Sequence, residues 1–211
     1  MFQLLSKSAG RLDLLSTLWR HGNGMTHVID KSHPDLGGNI RHGDLASFTP
    51  TLWKFIIERY GIESMLDVGA GEGHAVKWFN RAGVWAHGFD GLPMNVQRAV
   101  CPISHHDLKR GPFMMPVDLV LCVEVVEHIE EMHIDNLMKT LANGRVVMMT
   151  HAVPGQSGYH HVNCQPEAYW QQKMSAAGYE PSIATNVMRE IASRDGWDTY
   201  FESTGLVFLR R

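Results

Sequence analysis

The sequence predicts an α/β protein built on an open, doubly wound and mostly parallel sheet with helices on both faces. Two observations carry this prediction. Short strand-like segments alternate with segments of helical periodicity from residue 49 onward. Most of the strand-like segments are almost entirely apolar. Such alternation is typical of crossover units, in which strands buried on both faces pair in parallel. With 211 residues, 44% hydrophobic and 19% charged, the chain can form one such domain with a small appendage.

The first predicted helix begins after residue 49. Thr49 is expected to cap it, Pro50 suits its first turn, and Gly61 ends it. Five strands follow, and we expect them at residues 64–68, 84–90, 102–106, 117–123 and 145–150. Helices are expected after the first, second and fourth of these strands, at residues 75–82, 94–100 and 134–141.

The C-terminal part continues the same pattern. A loop at residues 151–164 leads to a helix that begins at Pro166 and is ended by Gly178. Residues 184–194 are predicted to be helical, and residues 203–211 form the last strand. Because a helix-containing connection precedes this strand, we expect it to run antiparallel at the edge of the sheet.

Residues 1–48 form a separate predicted segment before the domain at residues 49–211. Residues 1–22 have the pattern of a short amphipathic helix that docks on the body or on a second copy, so a homodimer through this helix is one prediction. Residues 20–48 are rich in glycine, histidine and asparagine and lack regular periodicity. They are either a plain surface loop or a lid over a site, with Gly37 and Gly38 as its hinge.

Charge and cysteine content exclude several classes. The net charge of −3 gives no global attraction to nucleic acid or to an acidic membrane, so a dedicated nucleic-acid binder is disfavoured. Three cysteines without a C-x-x-C pair predict reduced thiols in a cytoplasmic protein. No apolar stretch approaches the roughly 20 residues that a membrane-spanning helix needs.

A glycine-rich turn follows the first predicted strand, in the stretch LDVGAGEGH at residues 66–74. Its glycines let the backbone turn tightly and let a ligand approach the start of the next helix. Asp90 ends the next strand, where a carboxylate can accept hydrogen bonds from ribose hydroxyls. His74 stands where a dinucleotide site has its third glycine, and Asp67 suits an ammonium group better than a pyrophosphate. A nicotinamide oxidoreductase is therefore disfavoured.

The pattern D-x-G-x-G-x-G at residues 67–73 resembles motif I of class I S-adenosylmethionine (SAM) methyltransferases, and the resemblance covers residues 49–178 and the final strand. It implies a Rossmann-like, seven-stranded sheet with an antiparallel edge strand, and SAM as cofactor. It further implies that Asp67 and the turn hold the methionine part of SAM, Asp90 the ribose, and Asp107 the adenine amino group. Glu124 would contact the SAM amino group or fill the pocket wall. The cofactor-binding residues so implied are Asp67, Gly69, Gly71, Gly73, Asp90, Asp107, Leu108 and Glu124.

A second motif, E-x-x-E-H, follows the fourth strand with Glu124, Glu127 and His128. If the chain turns helical after Val123, these three side chains share one helical face. The motif resembles that of ubiquinone-pathway O-methyltransferases and small-RNA 2′-O-methyltransferases, in which it coordinates a divalent metal. Oxygen and imidazole ligands suit Mg²⁺ or Mn²⁺.

Three readings of this motif stay open. One is a metal site, for which the candidates for a further ligand are His151, His160 and His161, and the predicted ligand set is Glu124, Glu127, His128 and His161. Another is a general base or a substrate-binding group, with Glu127, His128, His160 and His161 as the candidate catalytic residues. The third is a structural role only.

The predicted function is transfer of a methyl group from SAM to an oxygen or nitrogen nucleophile of a small acceptor, a sugar or another polyhydroxylated metabolite. RNA 2′-O-methylation is one alternative, suggested by E-x-x-E-H and disfavoured by the acidic charge balance. A non-catalytic SAM-binding protein is another, and polar residues on the acceptor side speak against it.

Overall fold

The computed structural model describes residues 27–211. The predicted N-terminal helix, and with it the predicted dimer contact, lies outside the described residues. Within the described part, one large sheet carries helices on both faces, and a small hairpin precedes it. The hairpin pairs β1 (His27–Val28) with β2 (Asn39–Ile40) in antiparallel register.

Seven strands form the large sheet. They are β3 (Ser64–Val68), β4 (Trp85–Asp90), β5 (Ser104–His105), β6 (Val117–Cys122), β7 (Gly144–Met149), β8 (Tyr179–Pro181) and β9 (Leu206–Arg210). Their order across the sheet is β5-β4-β3-β6-β7-β9-β8. The first five positions are parallel, and β9 pairs antiparallel with both β7 and β8. This is the predicted fold class.

The two edges of the sheet differ in detail from the sequence analysis. The last strand is antiparallel as expected, but it lies one place in from the edge, because β8 pairs on its outer side. β8 has only three residues and follows Gly178 directly, so no apolar run in the sequence indicates a strand there. The predicted strand at residues 102–106 is reduced to the two residues of β5.

Seven α-helices occur in the described part of the chain, and most cover the two faces of the sheet. They are α1 (Pro50–Tyr60), α2 (His74–Arg81), α3 (Pro93–Arg98), α4 (Ile134–Leu141), α5 (Glu167–Ala176), α6 (Thr185–Ala192) and α7 (Tyr200–Thr204). One buried cluster joins α1, α2, α6 and α7 to the sheet. A second joins α4 and α5 to the opposite face. Residues that alternate along each strand therefore feed two separate cores, as a doubly wound fold requires.

The ends of α1 show how tertiary contacts replace a local signal. Gly61 ends the helix with φ of 59°, and its N–H donates to the Ile57 carbonyl, as predicted. The prediction that Thr49 caps the helix is wrong, because its side chain makes no capping hydrogen bond. Asp195 accepts from the Thr51 N–H instead, at 3.2 Å. A carboxylate distant in the chain thus satisfies the helix start.

Candidate active site

A cavity of about 320 Å³ lies at the carboxyl ends of the central parallel strands. The glycine-rich turn after β3 lines it, together with the ends of β4 and β6 and residues 106–109. Further parts of the chain add to its wall. They are residues 34–44, called the strap below, of which all but Pro34, Arg41 and His42 line the cavity, residues 158–161 of the loop after β7, of which all but His160 line it, and Tyr200 at the start of α7. In open α/β sheets, ligands bind at this edge of the sheet, where the crossover connections diverge.

The glycine-rich turn is shaped by left-handed backbone. Gly69 and Gly71 have φ of 69° and 53°, values that residues other than glycine rarely adopt. A Cβ placed on Gly69 would lie 2.4 Å from Cγ2 of Val125. The turn therefore has no room for a side chain where it approaches the loop after β6, and it leads into α2 at His74.

Asp90 ties this turn to the end of β4. Its carboxylate accepts from the Gly71 N–H at 2.8 Å, from the Leu92 N–H at 2.8 Å and from the Asn95 amide at 3.0 Å. Burial raises its pKa to about 6 against the opposing effect of these three donors. The residue predicted to hold a ribose thus also organises the turn.

Asp67, near the end of β3, is the second buried carboxylate beside the glycine-rich turn. Burial, reinforced by the charge of Asp90, raises its pKa to about 8. Within residues 27–211 it forms no ion pair with a lysine or arginine. A buried carboxylate without a cation favours a positively charged ligand.

Asp107 and Leu108 line the far end of the cavity. The Asp107 carboxylate accepts from the Lys109 N–H at 2.9 Å and so caps a single 3₁₀ turn, Leu108–Arg110. Leu108 is buried at 5% exposure and offers an apolar surface there. An acidic and an apolar group together fit the predicted adenine end.

Glu124 follows β6 in a conformation that the sequence analysis did not anticipate. Its φ is 54°, and the helical turn begins only later, as a 3₁₀ helix at Val126–His128. Its N–H donates to Oγ1 of Thr150 at 2.8 Å, and that hydroxyl donates to Oε1 of Glu124 at 2.9 Å. The expectation that Glu124, Glu127 and His128 share an α-helical face is therefore wrong.

Glu127 is fully buried. Its backbone carbonyl accepts from the N–H groups of Val162 and Asn163, which joins the motif to the loop after β7. Neither oxygen of its carboxylate has a well-formed hydrogen bond within the described residues, although the Glu124 carboxylate lies close enough to interact with it. Burial, and then the Glu124 charge, raises the Glu127 pKa well above its usual range.

His128 is held by the same loop. Its Nδ1 lies 3.1 Å from the His160 carbonyl, which can only accept, so Nδ1 carries the proton and the lone pair is on Nε2. Burial lowers the His128 pKa to about 4, against the effect of this hydrogen bond. The imidazole is therefore neutral at physiological pH and available as a base or ligand.

The structure brings three of the four predicted metal ligands together. One ligand atom from each of Glu127, His128 and His161 lies within 4.8 Å of the others. The rings of His128 and His161 meet edge to face, with centroids 5.0 Å apart. Glu124 is not part of this group.

Two predicted histidines have other places. The His160 ring does not line the cavity and lies against Glu130, with Nε2 3.5 Å from Oε1. His160 contributes its carbonyl to His128 instead. His151 is buried beside the Ala152 carbonyl, and it does not line the cavity either.

The strap contacts the part of the cavity around Asp90 and Lys109. The Asn39 amide donates to Oδ1 of Asn95 at 3.0 Å, and Asn95 in turn holds Asp90. Asp35 forms an ion pair with Lys109 next to the predicted adenine end. These contacts make the segment that was predicted to be a loop or a lid part of the cavity wall.

The strap also reaches the part of the cavity around His128. A Cβ on Gly37 would lie 2.8 Å from the His128 ring, and Tyr200 donates its hydroxyl proton to Asp44 at 2.8 Å. Sequence reasoning missed Asp44 and Tyr200, because they are 156 residues apart and belong to no motif. Their only signal was the position of Asp44 in a polar segment suspected to cover a site.

Residues 38–207 match a family model described as a methyltransferase domain. The chain belongs to this family. The predictions of a methyltransferase and of SAM as its cofactor are thereby confirmed. A comparison with curated proteins finds no match. No described helix is long and apolar enough to cross a membrane.

Solved structures of methyltransferases share the fold. The sugar N-methyltransferase KedS8 from Streptoalloteichus sp ATCC 53650 is similar with a TM-score of 0.62 and 16% identity, covering 91% of this chain and 99% of that one. Magnesium protoporphyrin IX methyltransferase from Synechocystis PCC 6803, with bound SAM, has a TM-score of 0.55 at 16% identity and 76% coverage of both chains. The methyltransferase domain of bacterial CtHen1-C has a TM-score of 0.52 at 16% identity, covering 77% and 97%. At these identities the likeness concerns the fold.

Proposed function

We propose that this methyltransferase acts on a hydroxyl or amino group of a small acceptor, with sugars and other polyhydroxylated metabolites as the favoured class. The observation that carries the proposal is the neutral His128 imidazole, with its lone pair on Nε2, in the same cavity as the glycine-rich turn. A donor site and a base in one cavity are the two parts that methyl transfer to a protic nucleophile needs. The fold shared with a sugar N-methyltransferase supports the acceptor class.

The donor side of the cavity fits SAM. When bound, SAM supplies an electrophilic methyl group on a positively charged sulfur. Asp67 offers a buried carboxylate without a lysine or arginine partner in the described residues, and the turn at Gly69 and Gly71 brings left-handed backbone to the cavity wall. The resemblance assigns Asp90 to the ribose and Asp107 to the adenine, and both residues line the cavity. We assign these residues, with Gly73, Leu108 and Glu124, to the donor.

His128 is the proposed base. It takes the proton of the acceptor nucleophile on Nε2, while Nδ1 stays bonded to the His160 carbonyl and fixes the ring. Glu127 lies beside it, with a carboxylate oxygen within 4.8 Å of a ring nitrogen of His128. His161 packs on the His128 ring and helps to orient it. Proton transfer of this kind typically contributes about 10²–10⁴ in rate.

A divalent metal ion is the alternative role for the same side chains. One carboxylate and two imidazoles are a donor set that such an ion accepts, and the hydrogen-bond-free carboxylate of Glu127 fits a ligand. When bound, the ion would bind and acidify an acceptor hydroxyl. We place this second, since Glu124 is held by Thr150 outside the group.

The cavity charge disfavours RNA as acceptor. Among residues 27–211, Lys109 is the one lysine or arginine in the cavity lining, and it is paired with Asp35. Eight carboxylates line the same cavity, from Asp35, Asp44, Asp67, Glu72, Asp90, Asp107, Glu124 and Glu130. A phosphate backbone would meet repulsion there. A purely SAM-binding role is disfavoured because buried, unsatisfied Glu127 beside His128 costs stability without serving the donor.

The test is transfer of an isotope-labelled methyl group from SAM, with chelator-treated protein, to a panel of monosaccharides and amino sugars and to a short RNA. We expect transfer to members of the sugar panel and none to the RNA. His128→Asn keeps a donor for the His160 carbonyl but removes the base, so we expect kcat to fall about 10²–10⁴-fold with SAM affinity unchanged. His133→Asn is the control, since His133 does not line the cavity.

Two results would contradict the proposal. Full activity of His128→Asn would remove His128 as the base. Transfer to RNA alone would exclude a small acceptor. Activity that the chelator abolishes and Mg²⁺ or Mn²⁺ restores would favour the metal alternative.

A further inference from the structure

The strap forms part of the cavity wall but adds nothing to the core. Residues 35–40, 43 and 44 line the cavity. No residue from 27 to 47 is buried or belongs to either buried cluster, and the hairpin to which the strap belongs, β1 with β2, forms a small sheet of its own. Segments with few buried apolar contacts open locally at low free-energy cost. The strap can therefore leave the cavity while the domain stays folded.

Two polar contacts tie the strap to groups around the assigned donor. Asp35 forms an ion pair with Lys109 next to the predicted adenine end. The Asn39 amide donates to Oδ1 of Asn95 at 3.0 Å, and the Asn95 amide donates to the Asp90 carboxylate at 3.0 Å. Both contacts are polar and reach the cavity wall, so the position of the strap depends on how that wall is arranged.

Glu72 makes a third contact from within the glycine-rich turn itself. Its side chain is buried at 5% exposure, and its Oε2 accepts from the His42 N–H of the strap at 3.0 Å. The same oxygen lies 3.9 Å from Nε2 of His74. The other residues of the turn, 69–71 and 73, are glycine or alanine. Glu72 is thus the one side chain of the turn that is long enough to hold the strap.

The Glu72 contact falls at a joint of the strap. His42 and Gly43 have φ of 68° and 92°, and the next residue, Asp44, is fixed by the Tyr200 hydroxyl at 2.8 Å. A histidine in left-handed backbone is uncommon and is kept there by its contacts. Release of the His42 N–H would let residues 34–41 swing about this joint while Asp44 stays in place.

Building on the assignment of this cavity to the donor in the proposed function, we propose that the strap is a lid that closes over bound SAM and opens to exchange it for the demethylated product. Glu72 is the positioning residue that holds the lid closed through the His42 N–H. Because the turn assigned to SAM also carries this contact, binding of SAM and closure of the lid stabilise each other.

Hydrogen exchange of the strap tests the lid. Exchange of backbone amides is followed by mass spectrometry in peptides that cover residues 34–44, with and without SAM. We expect SAM to slow exchange in these peptides about ten-fold or more, because exchange requires local opening. Peptides from residues 181–187, which do not line the cavity, should exchange equally in both states.

Two substitutions at Glu72 test its contact with the strap. Glu72→Ala removes the acceptor of the His42 N–H, a hydrogen bond to a charged group. Strap exchange in the SAM-bound protein and the rate of SAM dissociation in stopped flow should therefore both rise about ten-fold or more. Glu72→Gln keeps an oxygen that can accept and should retain most of the wild-type behaviour. Glu58→Ala is the control, because Glu58 is exposed on α1 and does not line the cavity.

Asn39→Ala tests the lid from the strap side and leaves the glycine-rich turn unaltered. It removes the donor to Asn95, so strap exchange and SAM dissociation should both rise about two- to ten-fold, as expected for loss of a neutral hydrogen bond. Asn39 lies outside both buried clusters, so this variant keeps the test decisive if Glu72→Ala folds poorly.

Each outcome decides a distinct point. Equal strap exchange with and without SAM, or unchanged strap exchange in Asn39→Ala, would overturn the lid. Faster SAM dissociation in Glu72→Ala with unchanged strap exchange would confine Glu72 to the turn and overturn its positioning role, as would Glu72→Gln behaving like Glu72→Ala. Absence of SAM binding in the wild type would instead refute the donor assignment on which the inference rests.

Discussion

Replacing Gly69 with alanine tests whether the glycine-rich turn is shaped by the approach of Val125. Gly69 has φ of 69°, and an alanine in this left-handed region costs about 1–2 kcal/mol. The added Cβ would also lie 2.4 Å from Cγ2 of Val125, a distance that atoms in proteins do not tolerate. Relief of such overpacking typically costs a further ~1–3 kcal/mol.

Gly61→Ala is the matched control. Gly61 has φ of 59°, so its backbone cost is the same, but no atom of the described residues outside its own turn of chain lies within 4 Å of the position of a Cβ. By urea unfolding, we expect Gly61→Ala to lose about 1–2 kcal/mol and Gly69→Ala about 2–5 kcal/mol. By calorimetry, Gly69→Ala should weaken SAM binding at least ten-fold, because the turn must shift, and Gly61→Ala should leave it unchanged.

The double variant Gly69→Ala/Val125→Ala separates the two costs. Removing the Val125 methyl groups should relieve the overpacking, so the two substitutions should couple favourably by about 0.5–3 kcal/mol. Equal losses of stability for Gly69→Ala and Gly61→Ala, with SAM binding retained in both, would refute the close approach as the reason for glycine at this position.

Two further predictions concern the buried polar groups of the donor side. Burial raises the Asp67 pKa from its usual value near 3.8 to about 8, so its contribution to stability is complete below pH 4 and is lost as the pH rises to 8. In ligand-free protein, unfolding measured from pH 4 to 8 should therefore show a smaller decline for Asp67→Asn than for the wild type, and an identical decline would contradict the burial of Asp67. Asn95→Ala removes the link from Asn39 to Asp90 and should weaken SAM binding about ten-fold. The exposed Gln97→Ala on the same helix should not, and equal effects would exclude the link.

The parts of the fold that the sequence predicts well are those with a local cause. Strands β3, β6 and β7 are mostly apolar and are buried on both faces, and α1 has Pro50 at its start and Gly61 at its end. β8 was missed because its three residues pair with β9 through the backbone, which leaves no periodicity to detect. The cap of α1 was wrong because Asp195, distant in sequence, competes successfully with Thr49.

The residues of the candidate site divide in the same way, into those that local sequence predicts and those that distant contacts place. The motif residues Asp67, Asp90 and His128 lie in the cavity lining, since the first two are at the ends of β3 and β4 and His128 is in the 3₁₀ turn that follows β6 at the same sheet edge. The expectation that the E-x-x-E-H residues share a helical face was wrong, because Thr150 holds Glu124 in a conformation with φ of 54°. Asp44 could not be predicted from the sequence, because only tertiary contacts bring it to the cavity.

The central claim is that the cavity at the glycine-rich turn binds SAM as the methyl donor, without need of a metal. Its most direct test is calorimetric titration of the chelator-treated protein with SAM and, for comparison, with NAD, repeated in the presence of Mg²⁺ or Mn²⁺. We expect SAM to bind at one site per chain with an affinity that the metals do not change, and NAD not to bind. No binding of SAM, or tighter binding of NAD, would contradict the claim.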